Sequence, residues 1–266
     1  MTAEGAGLGR VEGMAVFVDG CIPGDKVQAC LTKVKKNYAQ ADLVSVLEES
    51  EDRIEPACPY SEVCGGCTLQ SMNYEAQLAL KHKQVEDKIR RLGGIDNPKV
   101  NDTVGQWYVE GDEVYEPFKY RNKGEYQVWN GPAGNLVGFV GRKSHRVVDI
   151  PDCLLQAESA DAIASVVRGC GDGSVRRFTV KTAFGTGEVM VILEGPSLKL
   201  CDEQDSDKPN PQLENLIDMV EKMDEALSEI DYSLESVYLF DPKAGTNGRY
   251  RLFAGSRTIL DEQEIG

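Results

Sequence analysis

Four cysteines are the residues of this chain whose types and spacing could do chemistry. Cys58, Cys64 and Cys67 lie in the run CPYSEVCGGC, with C-x5-C-x2-C spacing, and Cys153 lies far downstream in IPDC. The two glycines between the second and third cysteines allow a tight turn, because glycine accepts positive φ at little steric cost. Three sulfurs on one loop and a fourth from a distant loop would form a closed metal site.

The cysteine ligands limit the choice of metal but do not identify it. Thiolate-rich sites select zinc or iron–sulfur clusters, and spacing alone does not separate the two. A redox-active CxxC pair or a group of thiols without a ligand is the remaining alternative. The other four cysteines have no ligand spacing and are interpreted as small buried apolar side chains: Cys21, Cys30, Cys170 and Cys201.

Composition predicts a cytoplasmic globular protein. The 266 residues suffice for about two domains, and the apolar fraction of 41% and charged fraction of 27% are ordinary. No stretch approaches the ~18 apolar residues of a membrane helix, so we expect no membrane partner. The segment MTAEGAGLGRVEG lacks the basic and apolar regions of a signal peptide. In such a compartment cysteines are metal ligands or buried thiols more often than disulfides.

The net charge of −15 argues at first against nucleic acid as a partner, but it is unevenly distributed. Residues 201–236 hold twelve acidic residues against two lysines, which gives −10. Residues 119–146 hold six basic residues against Glu125 alone, which gives +5. Because salt screens charges beyond about 8–10 Å, a phosphate responds to the local field more than to the total charge.

The elements that must position these residues indicate an α+β fold. Residues 1–50 carry short β-rich runs separated by glycine and proline, which predicts a small barrel whose first strand is apparently missing. Residues 51–94 hold the cysteine loop and a helix over 73–92, with Asn73 as N-cap and Gly93–Gly94 at its end. Residues 95–266 predict a mainly antiparallel α+β domain with helices over 157–167 and 211–230.

Several motifs together resemble a known family. In chain order they are GLGRVEGMAVFVDGCIPGDKV, KVKKNYAQADLV, CPYSEVCGGCTLQ, RRLGGI, YRNKGEY and GFVGRKSHRVVDIPDC. This combination resembles the 23S ribosomal RNA (uracil-C5)-methyltransferases that carry an N-terminal TRAM domain and a [4Fe–4S] cluster. The resemblance covers essentially the whole chain, and the cysteine pattern is its most specific part.

The resemblance carries expectations for fold, cofactors and partner. It implies that residues 1–50 are a TRAM domain, an OB-like barrel that binds RNA. It implies that Cys58, Cys64, Cys67 and Cys153 hold a [4Fe–4S] cluster and that the complete enzyme uses S-adenosylmethionine. A cysteine thiolate would add to C6 of the target uracil, so that C5 accepts the methyl group. Because the related transfer-RNA enzymes usually lack both barrel and cluster, ribosomal RNA is the expected partner.

One part of the family pattern is not found in these residues. Family members continue into a Rossmann-like domain with the cofactor loop, the nucleophilic cysteine and the base, and no strand–GxGxxG–helix unit occurs here. We therefore expect no catalytic or S-adenosylmethionine-binding residue in this chain, and inactivity of the chain by itself. The missing domain would follow Gly266 or be separately encoded. The alternative is a stand-alone, non-catalytic RNA-binding iron–sulfur or zinc protein.

Three clusters combine cations with aromatic or polar side chains, a mixture suited to phosphate contact and base stacking. Each could instead be an exposed polar strand face. The first cluster lies in KVKKNY and the second in KYRNK. The third comes shortly before Cys153. The predicted RNA-binding residues are Lys33, Lys35, Lys36, Asn37 and Tyr38; Tyr120, Arg121, Asn122 and Lys123; and Arg142, Lys143, Ser144, His145 and Arg146.

Overall fold

A computed structural model describes most of the chain, and its residues divide into two compact units. The described residues are 1–105, 108–110, 113–115, 118–132, 134–170, 173–195, 211–241 and 250–256, with the backbone alone for 108–110 and 113–115. Unit 1 comprises Met1–Glu62 and Gly66–Pro117, and unit 2 comprises Val63–Gly65 and Phe118–Gly266. None of the helices in these ranges has the length and apolar character needed to span a membrane.

Unit 1 begins with a four-stranded sheet. Its strands are β1 (Gly7–Val11), β2 (Met14–Val18), β3 (Lys26–Val34) and β4 (Tyr38–Glu48), in the order β1-β2-β4-β3. The pair β2–β4 is parallel and the other pairs are antiparallel. Within the described strands β1 and β3 are therefore the two edges, and they do not pair to close the barrel that the sequence predicts.

Strand β1 was missed because glycine is unfavourable in strands. It lies inside the glycine-rich segment where the sequence indicated no strand. A Cβ atom on Gly7 would stand 2.8 Å from the Cβ of Cys21, so the close approach requires glycine at this position. The small core beneath consists of Val16, Val18, Cys21, Ala39 and Ala41.

A buried ion pair fastens the sheet of unit 1 to the segment that follows it. Asp25 accepts hydrogen bonds from Arg53 Nε at 3.0 Å and Nη2 at 2.5 Å. It also accepts from the backbone N–H groups of Ile22 and Ser50. Burial raises the pKa of Asp25, but these hydrogen bonds outweigh burial and hold it below its ordinary value.

The predicted helix of unit 1 is confirmed at both ends. Helix α1 spans Tyr74–Gly93; the side chain of Asn73 accepts from Ala76 N–H at 2.8 Å, and Gly94 adopts the left-handed C-cap conformation. No residue of α1 is fully buried. A two-stranded ladder of β5 (Tyr108–Glu110) and β6 (Glu113–Tyr115) follows it.

Unit 2 is a seven-stranded sheet with helices on one face. Its strands are β7 (Lys123–Gly131), β8 (Gly134–Val140), β9 (Val147–Asp149), β10 (Arg177–Ala183), β11 (Glu188–Glu194), β12 (Ser233–Phe240) and β13 (Tyr250–Gly255). Their order is β13-β12-β11-β10-β7-β8-β9. Of the described strand pairs of unit 2 only β11–β12 is parallel, which agrees with the prediction of a mainly antiparallel α+β domain.

Two helices cover the core face of this sheet. They are α2 (Glu158–Gly169) and α3 (Pro211–Ser228). Tyr126 stacks on Phe178 with ring centroids 4.9 Å apart, and the helices contribute residues such as Ile163 and Met223 to the same core. Period-2 alternation along each strand therefore sends one set of side chains to the helices and the other set to the opposite face.

The predicted buried face of α3 needs correction. The sequence predicted Leu213, Leu216, Ile217, Val220 and Leu227 on one face. The structure buries Leu216, Met219, Met223 and Leu227 and leaves Leu213 and Ile217 largely exposed. Two methionines at i+3 and i+7 from Leu216 complete the stripe, because their flexible side chains fill irregular gaps in a core. The sequence CDEQDSDKPNP also predicts a surface loop over residues 201–211. Of this stretch 201–210 lie outside the described residues, and Pro211 begins α3.

Candidate nucleic-acid interface and cysteine ligands

Residues 63–65 of the cysteine loop extend the end of strand β8. Cys64 forms an isolated antiparallel bridge with Gly141, and Gly65 N–H donates to the carbonyl of Val140 at 3.0 Å. A Cβ on Gly65 would stand 2.8 Å from that carbonyl oxygen, so the approach depends on glycine. Arg142 Nε donates to the carbonyl of Cys64 at 3.1 Å. Cys64 is buried in this arrangement.

Cys153 is held by a compact polar network within unit 2. Its backbone N–H donates to Asp161 Oδ1 at 3.2 Å, and Lys119 Nζ donates to its carbonyl at 3.1 Å. Lys119 also pairs with Asp161 Oδ2 at 2.8 Å and with Asp152. Because Lys119 lies 34 residues from Cys153 in sequence, the spacing gave no sign of this network.

The network mixes burial with charge pairing. Burial dominates at Asp161 and raises its pKa to about 6, although Lys119 acts in the opposite direction. Burial lowers the pKa of Lys119, but hydrogen bonds to Asp152 and Asp161 raise it by more. Burial also raises the pKa of Tyr126, whose hydroxyl lies 3.5 Å from Asp161 Oδ1. The turn that carries Cys153 is therefore anchored on several sides.

The remaining two predicted ligands lie in unit 1. The backbone carbonyl of Cys58 accepts a hydrogen bond from the N–H of Ser61 at 3.1 Å, which forms a tight turn. The side-chain amide of Gln70 donates to the sulfur of Cys67 at 3.2 Å. A hydrogen bond to sulfur is the contact expected around a ligating thiolate, where it tunes the site.

The four cysteines are chemically suitable ligands for a thiolate-bound metal. Their placement in the structure adds no support for such a site. All four predicted ligands carry reduced thiols outside any disulfide. In the described part of the chain, however, no group of three or more His, Cys, Asp and Glu side chains is placed to hold a metal ion. The [4Fe–4S] cluster therefore stays a proposal.

The first cationic cluster forms the tip of the β3–β4 hairpin. Lys33 is the last but one residue of β3, and Lys35, Lys36 and Asn37 form the turn. A 2.8 Å hydrogen bond from Lys35 N–H to Tyr38 O closes this turn. All of these side chains are exposed. Tyr38 packs edge-on against Phe17, with ring centroids 5.8 Å apart. This cluster is thus a turn with the aromatic side chain of Tyr38 at its end, and it is not a flat strand face.

The second cluster enters strand β7. Tyr120 is 46% exposed, and Arg121 bridges Gln156 through its backbone, which leaves its side chain exposed. Asn122 is half-buried and its carbonyl accepts from Thr182 N–H. Lys123 pairs with Glu125 at 2.7 Å.

The third cluster is the turn between β8 and β9. A hydrogen bond from Gly141 N–H to Arg146 O closes it, and Ser144 bonds back to the Gly141 carbonyl. Lys143, His145 and Arg146 are exposed, whereas Arg142 is half-buried. The sequence treated this segment as one strand, but the structure divides it into two. Because β7 and β8 are antiparallel, the second and third clusters lie at the same end of their hairpin.

Comparison with known proteins identifies the first segment. Residues 2–44 match the model of the TRAM domain. The match covers β1 to β3 and most of β4.

Comparison over longer stretches identifies relatives with a common name. A protein of Halalkalibacterium halodurans named an uncharacterized RNA methyltransferase is 36% identical over 206 residues, which cover 73% of this chain and 43% of the relative. A protein of Clostridium tetani with the same description is 31% identical over 257 residues, 90% of this chain and 53% of the relative. The chain spans about half the length of these relatives.

A solved structure shares the fold. The tRNA (uracil-54, C5)-methyltransferase of Pyrococcus abyssi, in complex with S-adenosyl-L-homocysteine, superposes with a TM-score of 0.53 at 20% identity. The superposition covers 97% of this chain and 57% of that structure. The chain therefore carries a TRAM domain and is homologous, over the part that aligns, to these proteins named RNA methyltransferases.

Proposed function

We propose that residues 1–266 are the RNA-binding and cluster-holding part of an S-adenosylmethionine-dependent methyltransferase acting on uracil C5 of 23S ribosomal RNA. The observation that carries the proposal is the 36% identity over 206 residues to a protein named an RNA methyltransferase. Methyl transfer is assigned to the whole protein, because this chain spans only about half of such relatives.

The proposed role of residues 1–266 is to bind the RNA and hold it in place. Cations surround exposed aromatic or amide groups at the β3–β4 tip and at the shared end of the β7–β8 hairpin. Sequence-specific RNA recognition targets unpaired loops, where bases can stack on side chains and phosphates meet cations. An enzyme that modifies a base must first take it out of its stack, and such contacts would hold the remodelled loop.

The proposed task of the four cysteines is structural. A [4Fe–4S] cluster with four cysteine ligands has no open iron position, so it would fix the loops that carry its ligands. Cys64 and Cys153 already lie in segments that are held by hydrogen bonds within unit 2, as Arg142 and Lys119 show. Anaerobically purified chain should contain about four iron atoms and be brown. About one zinc ion per chain would instead support the zinc alternative.

RNA binding tests the substrate part of the proposal. We expect the chain to bind transcripts of 23S ribosomal RNA domains more tightly than a transfer-RNA transcript of matched length, measured by filter binding in 150 mM salt. Because phosphate contacts dominate nucleic-acid affinity, log K should fall linearly with log salt. Equal or tighter binding of the transfer RNA would reject ribosomal RNA as the preferred substrate.

A further inference from the structure

The face of the unit 2 sheet opposite α2 and α3 carries a groove of about 560 Å³. Alternate positions of five strands that point away from the core line it, together with the core residue Phe178. Met190 and Ile192 form part of its apolar surface, on the central strand β11. The groove lies wholly within unit 2 and contains residues that the sequence did not single out. Their common signal is an alternation that places polar and aromatic side chains at every second position of β10 and β12.

One end of the groove is aromatic. Phe240 and Tyr250 stand directly opposite each other on β12 and β13, with ring centroids 5.0 Å apart. Tyr250 is 56% exposed, and Tyr238 lines the groove two residues before Phe240. Exposed aromatic rings on a sheet provide flat surfaces on which unpaired bases stack.

The other end is cationic. Lys181 on β10 stands directly opposite Lys123 on β7. Like charges in directly opposed cross-strand positions destabilise a sheet, so this pair has a cost that a bound anion would relieve. Lys123 is compensated by Glu125 at 2.7 Å. Lys181 is exposed, and in the described part of the chain it makes no ion pair.

The remaining charges of the groove nearly balance. Arg177 Nε pairs with Glu194 at 2.8 Å, directly opposite on β11. With Glu125 and Glu194 counted, the groove holds three cations and two carboxylates. The exposed acidic side chains of α3, such as Asp218 and Glu221, lie on the helix side of the sheet. The sheet therefore separates the groove side from that negative charge, and salt screens charges beyond about 8–10 Å. The carboxylates of the groove can accept hydrogen bonds from base amino groups.

We propose that this groove binds a short single-stranded RNA segment, with bases stacked on Phe240 and Tyr250 and a phosphate at Lys181. The inference rests on the proposed function, because it assigns RNA contacts to a surface beyond the three clusters described above. A protein segment that needed only apolar contact would leave the opposed lysines unexplained. The cations and the aromatic rings together therefore favour RNA.

Fluorescence anisotropy with a fluorescein-labelled 12-nucleotide oligouridine tests the proposal on the full chain. Tyr250→Ala should weaken binding at least about fivefold, the lower end for loss of one base–aromatic stack. Tyr250→Phe keeps the ring and should bind as the unchanged chain does. Lys181→Ala should weaken binding. It should also reduce the magnitude of the negative slope of log K against log salt by about 0.7, because one phosphate contact is lost.

Matched controls lie outside the groove. Phe184 is 45% exposed in the turn after β10, and Lys222 lies on α3; Phe184→Ala and Lys222→Ala should leave affinity unchanged. Thermal melting confirms that each variant is folded. If the unchanged chain fails to bind both oligouridine and the ribosomal transcripts, the proposed function fails. If it binds while both groove variants behave as the controls, the groove proposal alone is wrong.

A protein occupant gives a different result. If Tyr250→Ala abolishes self-association in sedimentation velocity while RNA affinity stays unchanged, the groove is a protein interface and the RNA proposal is overturned. A loss of affinity in Tyr250→Phe equal to that in Tyr250→Ala would likewise reject base stacking, because the ring would then not be the group that binds.

Discussion

At the scale of single residues, the Asp25–Arg53 pair is a buried ion pair of unit 1 with two side-chain hydrogen bonds. The side chain of Asp25 is 1% exposed and that of Arg53 is 13% exposed, so solvent screens the pair little. Asp25→Asn should lower the free energy of unfolding by about 3–5 kcal/mol, because it leaves the guanidinium buried without its counter-ion. Urea unfolding followed by circular dichroism measures this loss. Glu48→Gln, which removes an exposed ion pair with Lys26, is the matched control and should change little.

The same pair gives unit 1 a defined acid sensitivity. The pKa of Asp25 is lowered in the folded state, so the unfolded chain binds its proton more readily. Its contribution to stability is therefore complete above its ordinary pKa of about 3.9, and it is lost as pH falls through the folded value. The stability difference between the unchanged chain and Asp25→Asn should be constant from pH 7 to 5 and shrink below about pH 4. A difference that grows toward low pH would contradict this assignment.

Substitution of the single residue Cys153 tests the proposed [4Fe–4S] cluster. Cys153→Ser should lower the iron content and the visible absorbance of anaerobically purified chain, and should lower its melting temperature, because one thiolate ligand is lost. Cys170→Ser is the control, since Cys170 has no predicted ligand role and also carries a half-buried reduced thiol. Full iron content in Cys153→Ser would remove Cys153 from the ligand set.

At the scale of elements, capping decides where α1 begins. Asn73→Ala should destabilise unit 1 by about 1 kcal/mol, because the N–H of Ala76 loses its acceptor. Asn73→Ser restores an acceptor but not the 3.0 Å hydrogen bond from Asn73 Nδ2 to Asp52, so it should recover most of the loss. If the serine variant is as unstable as the alanine variant, the contact with Asp52 matters more than the cap. Thermal unfolding of the three proteins separates these outcomes.

The elements also show what the sequence could predict. The ends of α1 followed from Asn73 and Gly94 because capping is local chemistry. Strand β1 was not predicted, because Gly7 reflects contact with Cys21 and not strand propensity. The buried stripe of α3 was misplaced at Leu213 and Ile217, since periodicity alone does not say which side the sheet lies on. The Lys119 network and the groove required tertiary pairing of strands far apart in sequence.

At the scale of the whole molecule, the net charge of −15 coexists with the proposed RNA binding because charges are segregated. In the described part of α3, acidic side chains occupy the exposed face, whereas Lys123, Arg177 and Lys181 line the groove on the opposite side of the unit 2 sheet. A screened local field then governs contact with phosphate. Total charge was therefore a poor guide to the partner, and its distribution along the sequence was a better one.

The assignment of catalysis to the whole protein has a direct test. Residues 1–266 should show no heat of binding with S-adenosylmethionine in calorimetry and should transfer no labelled methyl group to 23S ribosomal RNA. The reason is that these residues contain no strand–glycine loop–helix cofactor motif. Micromolar binding of the cofactor would show that the described fold itself forms the cofactor site. RNA binding in the same sample is the control for folded protein.

The pairing of residues 63–65 with the end of β8 also has a consequence for synthesis. The carbonyl of Cys64 and its partner Arg142 are 78 residues apart. At about 5–20 residues per second, a ribosome needs about 4–16 s to make that interval. Cys64 is buried once unit 2 has folded, but during that time no partner strand yet exists to cover it. Its thiol is thus more accessible to metal delivery, and to oxidation, while the chain is being made than after unit 2 has folded.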